Sequence, residues 1–465
     1  MRKRHLLALL LLSAVQMVYA APVKQSTAAQ TAKSFFAAKG KVLKTTNAAY
    51  APQCRLKSAT KEVAPYYVFN AGNNNGFVIV SGDDRIQPIL GYVDSGSFDL
   101  NKIPDNMRDF LKTYSEQVAE LDAENKTIGG TSSQNAIQSR RAVEPLVKCN
   151  WNQDAPYYNA CPKGTKGQTV TGCVATAMAQ VMYYYQWPNN ITKEIPAYTI
   201  KGETGHYSGT VAKVDAGTAI DWANLKLEKY TSGSTPEQKE AISKLMAYIG
   251  SSVQMEYDYA EYGGSGAMPS DIAPALNDYF NYSASFLDRS TVTAQEFEDA
   301  MYNEVAHNRP VIFNGSQADG GGHCFVLDGY NGNGLFHINW GWGGVANGYF
   351  AIPILNPDES GIGAGSGSGG YAVYQSAIIG INKGVQAENR STRIVSEFVS
   401  TNGAAIKTRL SHYSDKTQDV ECAIGVREEN TTNTPALNTE IEKISIVPGY
   451  YSRPTQFILK NLTPN

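Results

Sequence analysis

The stretch 171–188 constrains the fold more than any other part of the chain. Its apolar residues recur at positions 174, 177, 178, 181, 182 and 185, which is the spacing of one buried helical face. Thr171-Gly172 precedes this pattern as a loop would, and Pro188 cannot continue a helix. We therefore predict a core helix with Cys173 at or near its first residue.

Cys173 occupies a chemically special place if that helix forms. The unpaired backbone N–H groups and the positive end of the helix dipole both favour the thiolate over the thiol. The same N–H groups can donate hydrogen bonds to an oxyanion. The position suits a nucleophile, but a small buried cysteine that only begins a core helix explains this stretch equally well.

Length and charge exclude several classes of protein. A chain of 465 residues is too long to fold around one compact core, so we expect two or three domains. The net charge is -3, and no basic patch stands out beyond Arg140-Arg141, so we predict no nucleic-acid partner. Abundant Tyr and Gly with only 18% charged residues are typical of a secreted, partly β protein.

Residues 1–20 have the pattern of an export signal. A basic start is followed by an apolar run and then by Val18-Tyr19-Ala20, with cleavage expected after Ala20. The apolar run is too short for a membrane anchor, and no later segment reaches about 18 apolar residues. We expect a bacterial protein that is secreted or displayed at the cell surface, without a membrane span.

The six cysteines do not form a disulfide framework or a zinc motif. They are scattered, and no CxxC pair occurs. We predict no metal and no cofactor, and a Cys149–Cys161 bridge stays open. Scattered thiols in an exported protein make a functional cysteine more plausible.

Residues 21–125 are predicted to form a small α+β unit with its own core. The pattern gives a helix near 27–36, strands at 66–70 and 76–82 joined by a hairpin turn, a third strand near 86–92, and an amphipathic helix at 106–121. The polar segment 126–146 then has the composition of an exposed linker that proteases cut, or of a plain tether.

Residues 147–382 place helices before strands. After the Cys173 helix come helices at 235–249, with Gly250 as the expected stop, and at 270–280 and 293–306. Strands follow at 310–314, 323–328, 335–340, 349–352 and 371–381, so we predict two lobes with a cleft between them. Residues 383–465 contain short strands typical of a β-sandwich, possibly incomplete.

His323 is the best candidate partner for Cys173. It follows Gly320-Gly321-Gly322 and opens a strand, where the glycines let the backbone approach another segment closely. We expect the other histidines to have ordinary structural positions, with His337 on the surface of a strand. Downstream, an amide at Asn339 could hold the imidazole and Trp340 could shield it.

Gln168, upstream of Cys173, could donate its side-chain amide to an oxyanion. The order Gln, Cys, His, Asn-Trp is that of papain-like thiol peptidases. The segments that carry a more specific match resemble the streptopain family of secreted bacterial cysteine peptidases, and within it the interpain-like zymogens. These segments are 76–83, 167–177, 322–329, 339–344, 361–370 and 374–377.

The resemblance implies a papain-like catalytic domain and roles for individual residues. It makes Cys173 the nucleophile and His323 the general acid and base, with Gln168 at the oxyanion hole. Asn339 and Trp340 occupy the segment that orients the histidine, and of the two Asn339 is the weaker assignment.

Substrate is expected to meet Gly321, Gly322 and Trp342. The glycines leave backbone groups that can pair with an extended peptide. The family implies a hydrophobic preference two residues before the cut. Cys324 departs from the alanine that streptopain has after its histidine, which raises the question of sensitivity to oxidation.

The resemblance also makes residues 21–125 an inhibitory propeptide. We expect the turn of Asn73, Asn74 and Asn75 to enter the cleft and to bind or displace His323. The alternative is a propeptide that only assists folding, with an ordinary turn.

Together these features predict a secreted cysteine endopeptidase made as an autoprocessing zymogen, acting on host or environmental proteins. Its partners would be protein or peptide substrates and its own propeptide. Two alternatives stay open: a catalytically silent, adhesin-like binding protein on the same fold, and a thiol acyltransferase that uses the same pair of residues.

Overall fold

The computed structural model describes fourteen stretches of the chain: residues 22–54, 62–72, 74–123, 140–200, 206–292, 294–316, 322–352, 375–384, 394–402, 405–412, 418–426, 436–437, 439–446 and 455–459. We call residues 22–123 the N-terminal unit, 140–384 the central unit and 394–459 the C-terminal unit.

Six α-helices lie in these stretches: α1 Gln25–Ala38, α2 Asp105–Ala123, α3 Cys173–Tyr185, α4 Pro236–Ser252, α5 Ile272–Phe280 and α6 Ala294–Ala306. Within the described part of the chain, none of them combines the length and apolar character needed to cross a membrane.

The strands of the N-terminal and central units are β1 Tyr66–Asn70, β2 Phe77–Ser81, β3 Ile89–Val93, β4 Lys163–Gly164, β5 Gly167–Gln168, β6 Tyr198–Ile200, β7 Gly209–Val211, β8 Tyr282–Asp288, β9 Val311–Ser316, β10 Gly322–Tyr330, β11 Phe336–Asn339, β12 Gly348–Phe350 and β13 Gln375–Lys383. Those of the C-terminal unit are β14 Ile394–Asn402, β15 Ala405–His412, β16 Gln418–Cys422, β17 Gly425–Val426, β18 Ala436–Leu437, β19 Glu442–Ile446 and β20 Thr455–Ile458.

One antiparallel sheet organises the N-terminal and central units. Its nine strands run in the order β1-β2-β3-β12-β11-β10-β9-β13-β8. Side chains alternate between its two faces: Cys324 and Val326 belong to the core around α3, whereas Phe325 and Leu327 belong to the core beneath α2 and α6. Helices therefore cover both faces of the sheet, with α3 on one side and α2 on the other.

The N-terminal unit does not have the separate core that the sequence predicts. Strand β3 pairs with β12 through Tyr92 opposite Tyr349, so β1–β3 extend the sheet of the central unit. Phe110 of α2 packs edge-on against Trp340, with ring centroids 5.5 Å apart. The apolar side chains of both units form one continuous cluster. The small core predicted for this unit is therefore present, but it is not separate, because it continues into the central unit across the β3–β12 pairing and beneath α2.

The predicted core helix is confirmed as α3, and most of its residues are buried on every side. It ends at Gln186, whose φ of 46° is left-handed, rather than at Pro188. Helix α4 begins with a capping box formed by Thr235 and Gln238. It continues past the predicted stop, because Gly250 lies inside the helix where a Cβ would be 2.1 Å from the Tyr257 hydroxyl oxygen.

The remaining predicted elements of the first two units are confirmed with shifted ends, whereas β8 and the short strands β4 to β7 were missed. The sequence of β8, YSASFLD, lacks the apolar–polar alternation that marks a half-buried strand, and its first three residues are all buried where it lies against β13 and α5. Thr293, the predicted cap of α6, and the glycine-rich segment 361–370 lie outside the described residues.

The C-terminal unit is built of short antiparallel strands. One sheet has the order β14-β15-β20, and two pairs are β16-β19 and β17-β18. Leu410, Ile444 and Phe457 form its buried cluster. The β-rich composition predicted for this part of the chain is confirmed.

Candidate active site

Cys173 is the first residue of α3, as predicted. The residue before it, Gly172, has a φ of 83°, which favours glycine. A Cβ at Gly172 would lie 2.8 Å from the carbonyl oxygen of Ser265 and 2.9 Å from the sulfur of Met255. The close fit of this loop against the neighbouring chain fixes the helix start, and with it the position of the thiol.

The Cys173 thiol lies in surroundings that favour its ionised form. Burial alone raises its pKa, but a hydrogen bond to His323 and the positive charge of that ring lower it by more. The backbone N–H groups of Cys324 and Val174 also donate to the sulfur. The net result is a lowered pKa, which is what a nucleophilic thiolate needs.

His323 lies near the start of β10, opposite Gly315 of β9. Burial lowers the pKa of its ring, whereas hydrogen bonds to Asp109 and to Cys173 raise it, and the balance brings it to about 9. The imidazole is therefore cationic near neutral pH. A cationic ring beside Cys173 favours the thiolate form of that residue.

The second nitrogen of His323 is held by the N-terminal unit. Nε2 lies 2.5 Å from Oδ2 of Asp109 on α2. The Asp109 side chain is 31% exposed and that of His323 is 25% exposed, so the contact lies at a partly open interface. A carboxylate from outside the central unit therefore binds the ring nitrogen through which a papain-like histidine is oriented.

Sequence reasoning missed Asp109, although a signal was available. Helix α2 carries an apolar line and, beside it, a polar line of Asn106, Asp109, Thr113 and Gln117 at helical spacing. Three of these four polar side chains are buried. A polar line beside an apolar one indicates a helix that touches a polar site as well as a core.

Asn339 and Trp340 do not hold the imidazole in this state. Asn339 donates to the carbonyl of Cys149 at 2.7 Å and accepts from the N–H of Gly341 at 3.1 Å. The indole N–H of Trp340 donates to the carbonyl of Ala346 at 2.9 Å. Both side chains build the wall beside His323, and the orienting role expected of them is taken here by Asp109.

Helix α2 is also tied to that wall. The side-chain amide of Asn106 donates to the carbonyl of Trp340 at 2.6 Å. The neighbouring Phe110 covers the Trp340 ring and lies edge-on to Phe325. The helix therefore covers the surface next to His323.

Gln168 faces away from the expected oxyanion. Its amide nitrogen lies 3.1 Å from the carbonyl oxygen of Tyr158 and 3.2 Å from that of Pro162, and it also contacts the carbonyl of Cys161. A role in the oxyanion hole requires the amide to leave these carbonyls, so that role stays a prediction.

The predicted substrate contacts are only partly described. Gly322 begins β10 and is exposed, whereas Gly321 lies outside the described residues. The Trp342 ring packs against the shared core, and its indole nitrogen is buried without a hydrogen-bond partner among the described residues. An unpaired buried N–H is a group that a bound ligand can satisfy.

The asparagine turn does not reach the site. The N–H of Asn74 donates to Ser97, its carbonyl accepts from Gly96, and Asn75 forms a bridge with Gly96. Strand β2 is four strands from β10 in the sheet, roughly 19 Å at the usual strand spacing. The prediction is wrong for Asn74 and Asn75, because the turn closes on its own unit; Asn73 lies outside the described residues.

His337 is not the surface residue that the sequence predicts. Its Nδ1 lies 2.6 Å from the carboxylate of Asp328, and that carboxylate is fully buried. Asp328 also accepts from the N–H of Val147 at 2.7 Å. The pair fastens the start of the central unit to β10.

All six cysteines lie in the described ranges, and none is disulfide-bonded, so the open Cys149–Cys161 bridge is absent. Cys149 instead contacts the amide oxygen of Gln180. Across the described ranges, no group of three or more His, Cys, Asp or Glu side chains could hold a metal ion.

Comparisons with known proteins agree with this geometry. Residues 151–350 match the model of the Peptidase C10 family, and residues 20–118 match the Spi protease inhibitor family. The first range contains Cys173 and His323, and the second contains Asp109. The N-terminal unit is therefore similar to an inhibitor, and we refer to it below as the propeptide.

Three relatives extend the match. The thiol protease/hemagglutinin PrtT of Porphyromonas gingivalis is 34% identical over 459 residues, which cover 93% of this chain and 51% of PrtT, so the chain spans about half the length of that relative. A prointerpain A fragment from Prevotella intermedia is similar in structure, with a TM-score of 0.56, 30% identity, and coverage of 73% of this chain and all of the fragment. Streptopain of Streptococcus pyogenes is 38% identical over 333 residues, 68% of this chain and 80% of its own length. The chain thus belongs to the Peptidase C10 family, the streptopain family of cysteine peptidases.

Proposed function

We propose that this chain is the zymogen of a secreted cysteine endopeptidase that cuts protein substrates with Cys173 and His323. The observation that carries the proposal is the hydrogen-bonded Cys173–His323 pair at the start of α3, with the far nitrogen of the ring held by Asp109 of the propeptide. A silent binding protein would have no need of a lowered thiol pKa or of a carboxylate that blocks the base.

The chemistry follows from the geometry. The Cys173 thiolate attacks the scissile carbonyl, and N–H groups at the start of α3 stabilise the oxyanion, with Gln168 as a second donor once it turns. His323 gives its proton to the leaving amine, which leaves a thioester on Cys173. His323 then removes a proton from water, and the resulting hydroxide hydrolyses the thioester.

Latency comes from helix α2. Asp109 binds the ring nitrogen that must otherwise be oriented by the mature enzyme, and by raising the pKa of His323 it makes the cationic ring a weaker acid towards the leaving amine. Phe110 and Asn106 cover the Trp340 wall at the same time. Activity therefore requires α2 to leave, not only the linker to be cut.

Maturation is expected in the linker 126–146. The part of this linker that contacts the central unit limits where the first cleavage can occur. Val143 forms an antiparallel bridge with Tyr330, and Arg140 is ion-paired with Glu298 and Asp299. A protease needs an extended and accessible peptide, so bonds after Arg140 are protected while these contacts last. We expect the first cut before Arg140, with the docked segment trimmed later or kept.

The substrates are proposed to be extracellular proteins of a host or of the environment. The export pattern of residues 1–20 and the similarity to the thiol protease/hemagglutinin PrtT support this. The hydrophobic preference two residues before the cut is carried over from the family and is part of the proposal.

Labelling of Cys173 tests the proposal directly. The purified full chain would be incubated with a thiol-directed peptidyl epoxide, before and after processing, and digested for mass spectrometry. We expect one label on Cys173 with casein cleavage after processing, and the Cys161→Ala variant should behave in the same way. Absence of both label and cleavage in the processed form would favour the adhesin-like alternative.

A further inference from the structure

A second thiol lies beside the nucleophile. Strand β10 alternates its side chains between the two faces of the sheet, and Cys324 points into the core around α3 together with Val326. Helix α3, which begins at Cys173, packs on this same face of β10. The neighbouring His323 lies on the other face of the strand and reaches the site from the strand end.

The contact between the two cysteines is close. Cys173 packs against the buried cluster that contains Cys324, and the backbone N–H of Cys324, two bonds from its own Cβ, helps to lower the pKa of the Cys173 thiol. A disulfide needs Cβ atoms about 3.8 Å apart. Cys173 is the first residue of α3, and rotation about its Cα–Cβ bond changes the distance between the two sulfur atoms while the helix start stays fixed.

The two thiols differ in reactivity. Cys173 is partly exposed and is stabilised as a thiolate by His323. Cys324 is only 2% exposed, and burial together with the charge of Cys173 raises the pKa of its thiol well above the ordinary value. Cys173 is therefore the thiol that reacts first with an oxidant. Cys324 stays protonated and buried next to it.

We propose that Cys173 and Cys324 form a site that reacts with hydroperoxides and closes as a reversible disulfide. In the first step the Cys173 thiolate attacks the peroxide: an S–O bond forms, the O–O bond breaks, and sulfur is oxidised while the peroxide is reduced to an alcohol or water. In the second step the Cys324 sulfur attacks Cys173: the S–S bond forms, the S–O bond breaks, and hydroxide leaves with the Cys324 proton as water.

The disulfide preserves the enzyme. A sulfenic acid that finds no thiol is oxidised further to sulfinic and sulfonic acids, which ordinary thiols do not reduce. With Cys324 in place, the oxidised enzyme is inactive but is restored by a dithiol reductant. A neighbouring thiol at this position turns irreversible damage into a resting state.

The experiment uses the full chain and hydrogen peroxide as the probe. Wild-type protein is treated with a small excess of peroxide, then its thiols are counted and its peptides mapped without reduction. We expect two of the six thiols to be lost, a mass decrease of about 2 Da, and a Cys173–Cys324 linked peptide. Dithiothreitol should then restore alkylation of Cys173 by iodoacetamide.

The Cys324→Ala variant is the decisive comparison, and Cys161→Ala is the matched control because it also removes a buried thiol whose pKa burial raises, to about 12. Cys324→Ala should gain about 32 or 48 Da on Cys173 and lose iodoacetamide labelling for good. Cys161→Ala should match the wild type. Irreversible oxidation of wild-type Cys173, or a disulfide between other cysteines, would overturn the proposal. These readouts are masses and thiol counts, so they are independent of whether the chain cleaves peptides.

Discussion

Two histidines of the central unit each bind an aspartate, and the two pairs differ in the burial of the aspartate and in the unit that supplies it. His323 and Asp109 are 2.5 Å apart, and His337 and Asp328 are 2.6 Å apart. Asp328 is fully buried and belongs to the same unit as its histidine. Asp109 is 31% exposed and belongs to the propeptide. Equal distances therefore join a permanent pair in one case and a removable pair in the other.

The difference teaches that the role of an ion pair depends on what can separate it. Losing one partner of a buried pair leaves an uncompensated charge in the core and costs about 3–5 kcal/mol. A partly exposed pair at an interface contributes less, since water replaces the lost partner. His337 is fixed for stability, whereas His323 is held only until the propeptide leaves.

The largest expected effect separates the two histidines by activity. Cys173→Ala and His323→Ala should each lower peptide turnover by roughly 10⁴-fold or more, because the nucleophile and its base act as one unit. His337→Ala should keep turnover within about tenfold, since its ring touches no reacting atom. Each variant would be processed in trans by wild-type enzyme and assayed with a fluorogenic peptide. Loss of turnover in His337→Ala alone, with a native fold, would reverse the assignment.

The second effect separates the two histidines by stability. His337→Ala should lower the free energy of unfolding by about 3–5 kcal/mol, because it leaves the Asp328 carboxylate buried without its partner. His323→Ala should cost clearly less. Both would be measured by urea unfolding of the full chain in a Cys173→Ala background, which prevents self-processing. Equal costs would mean that the two pairs are structurally equivalent.

The third effect is the pH dependence of the removable pair. Against the effect of burial, Asp109 and Cys173 together raise the pKa of His323 in the folded zymogen to about 9, so the contribution of Asp109 is complete below about pH 6.5 and is lost as pH rises through the raised pKa. Asp109→Asn, in the Cys173→Ala background, should therefore destabilise by on the order of 1–2 kcal/mol at pH 6 and by almost nothing at pH 10. A pH-independent difference would show that Asp109 acts by shape and not by charge.

The smallest effect concerns the turn that does not reach the site. Asn74→Ala and Asn75→Ala should change the rate of epoxide labelling of Cys173 in the unprocessed chain by less than about twofold, since both residues bond within their own unit. Asp109→Asn should raise that rate by at least several-fold. A faster reaction in the turn variants than in Asp109→Asn would restore the turn as the inhibitor.

The parts of the site that depend on local pattern could be predicted from the sequence. Helical spacing and the glycine before Cys173 placed that residue at the start of a helix, and the glycine run before His323 indicated a strand end at a cleft. For Asp109 the polar line on α2 indicated only that this helix meets a polar site, because the contact with His323 depends on the docking of α2 on β10, which is a long-range contact. The same holds for Asn339, whose amide could equally have met His323 or the carbonyl of Cys149 until the chain around Cys149 was placed.

The same distinction between local pattern and long-range contact applies to the fold. Strands β1–β3 were recognisable from their alternation, but the pairing of β3 with β12 was not, because any open sheet edge looks alike in sequence. The turn of Asn74 was misjudged for a related reason. Its composition marks a turn correctly, yet composition says nothing about which face of the molecule the turn meets.

The pairing of β3 with β12 has a consequence for the enzyme after maturation. Loss of residues 22–123 turns β12 from an interior strand into the rim of the sheet, with unpaired backbone groups at Tyr349 and Phe350. Loss of the propeptide also exposes to water the aromatic rings that it had covered. β12 is only three residues long, and short rims recruit other strands poorly. The processed protein thus gains an exposed edge strand, and the short length of this strand limits self-association. Substitutions at Tyr349 should therefore change the solubility of the processed protein far more than that of the zymogen.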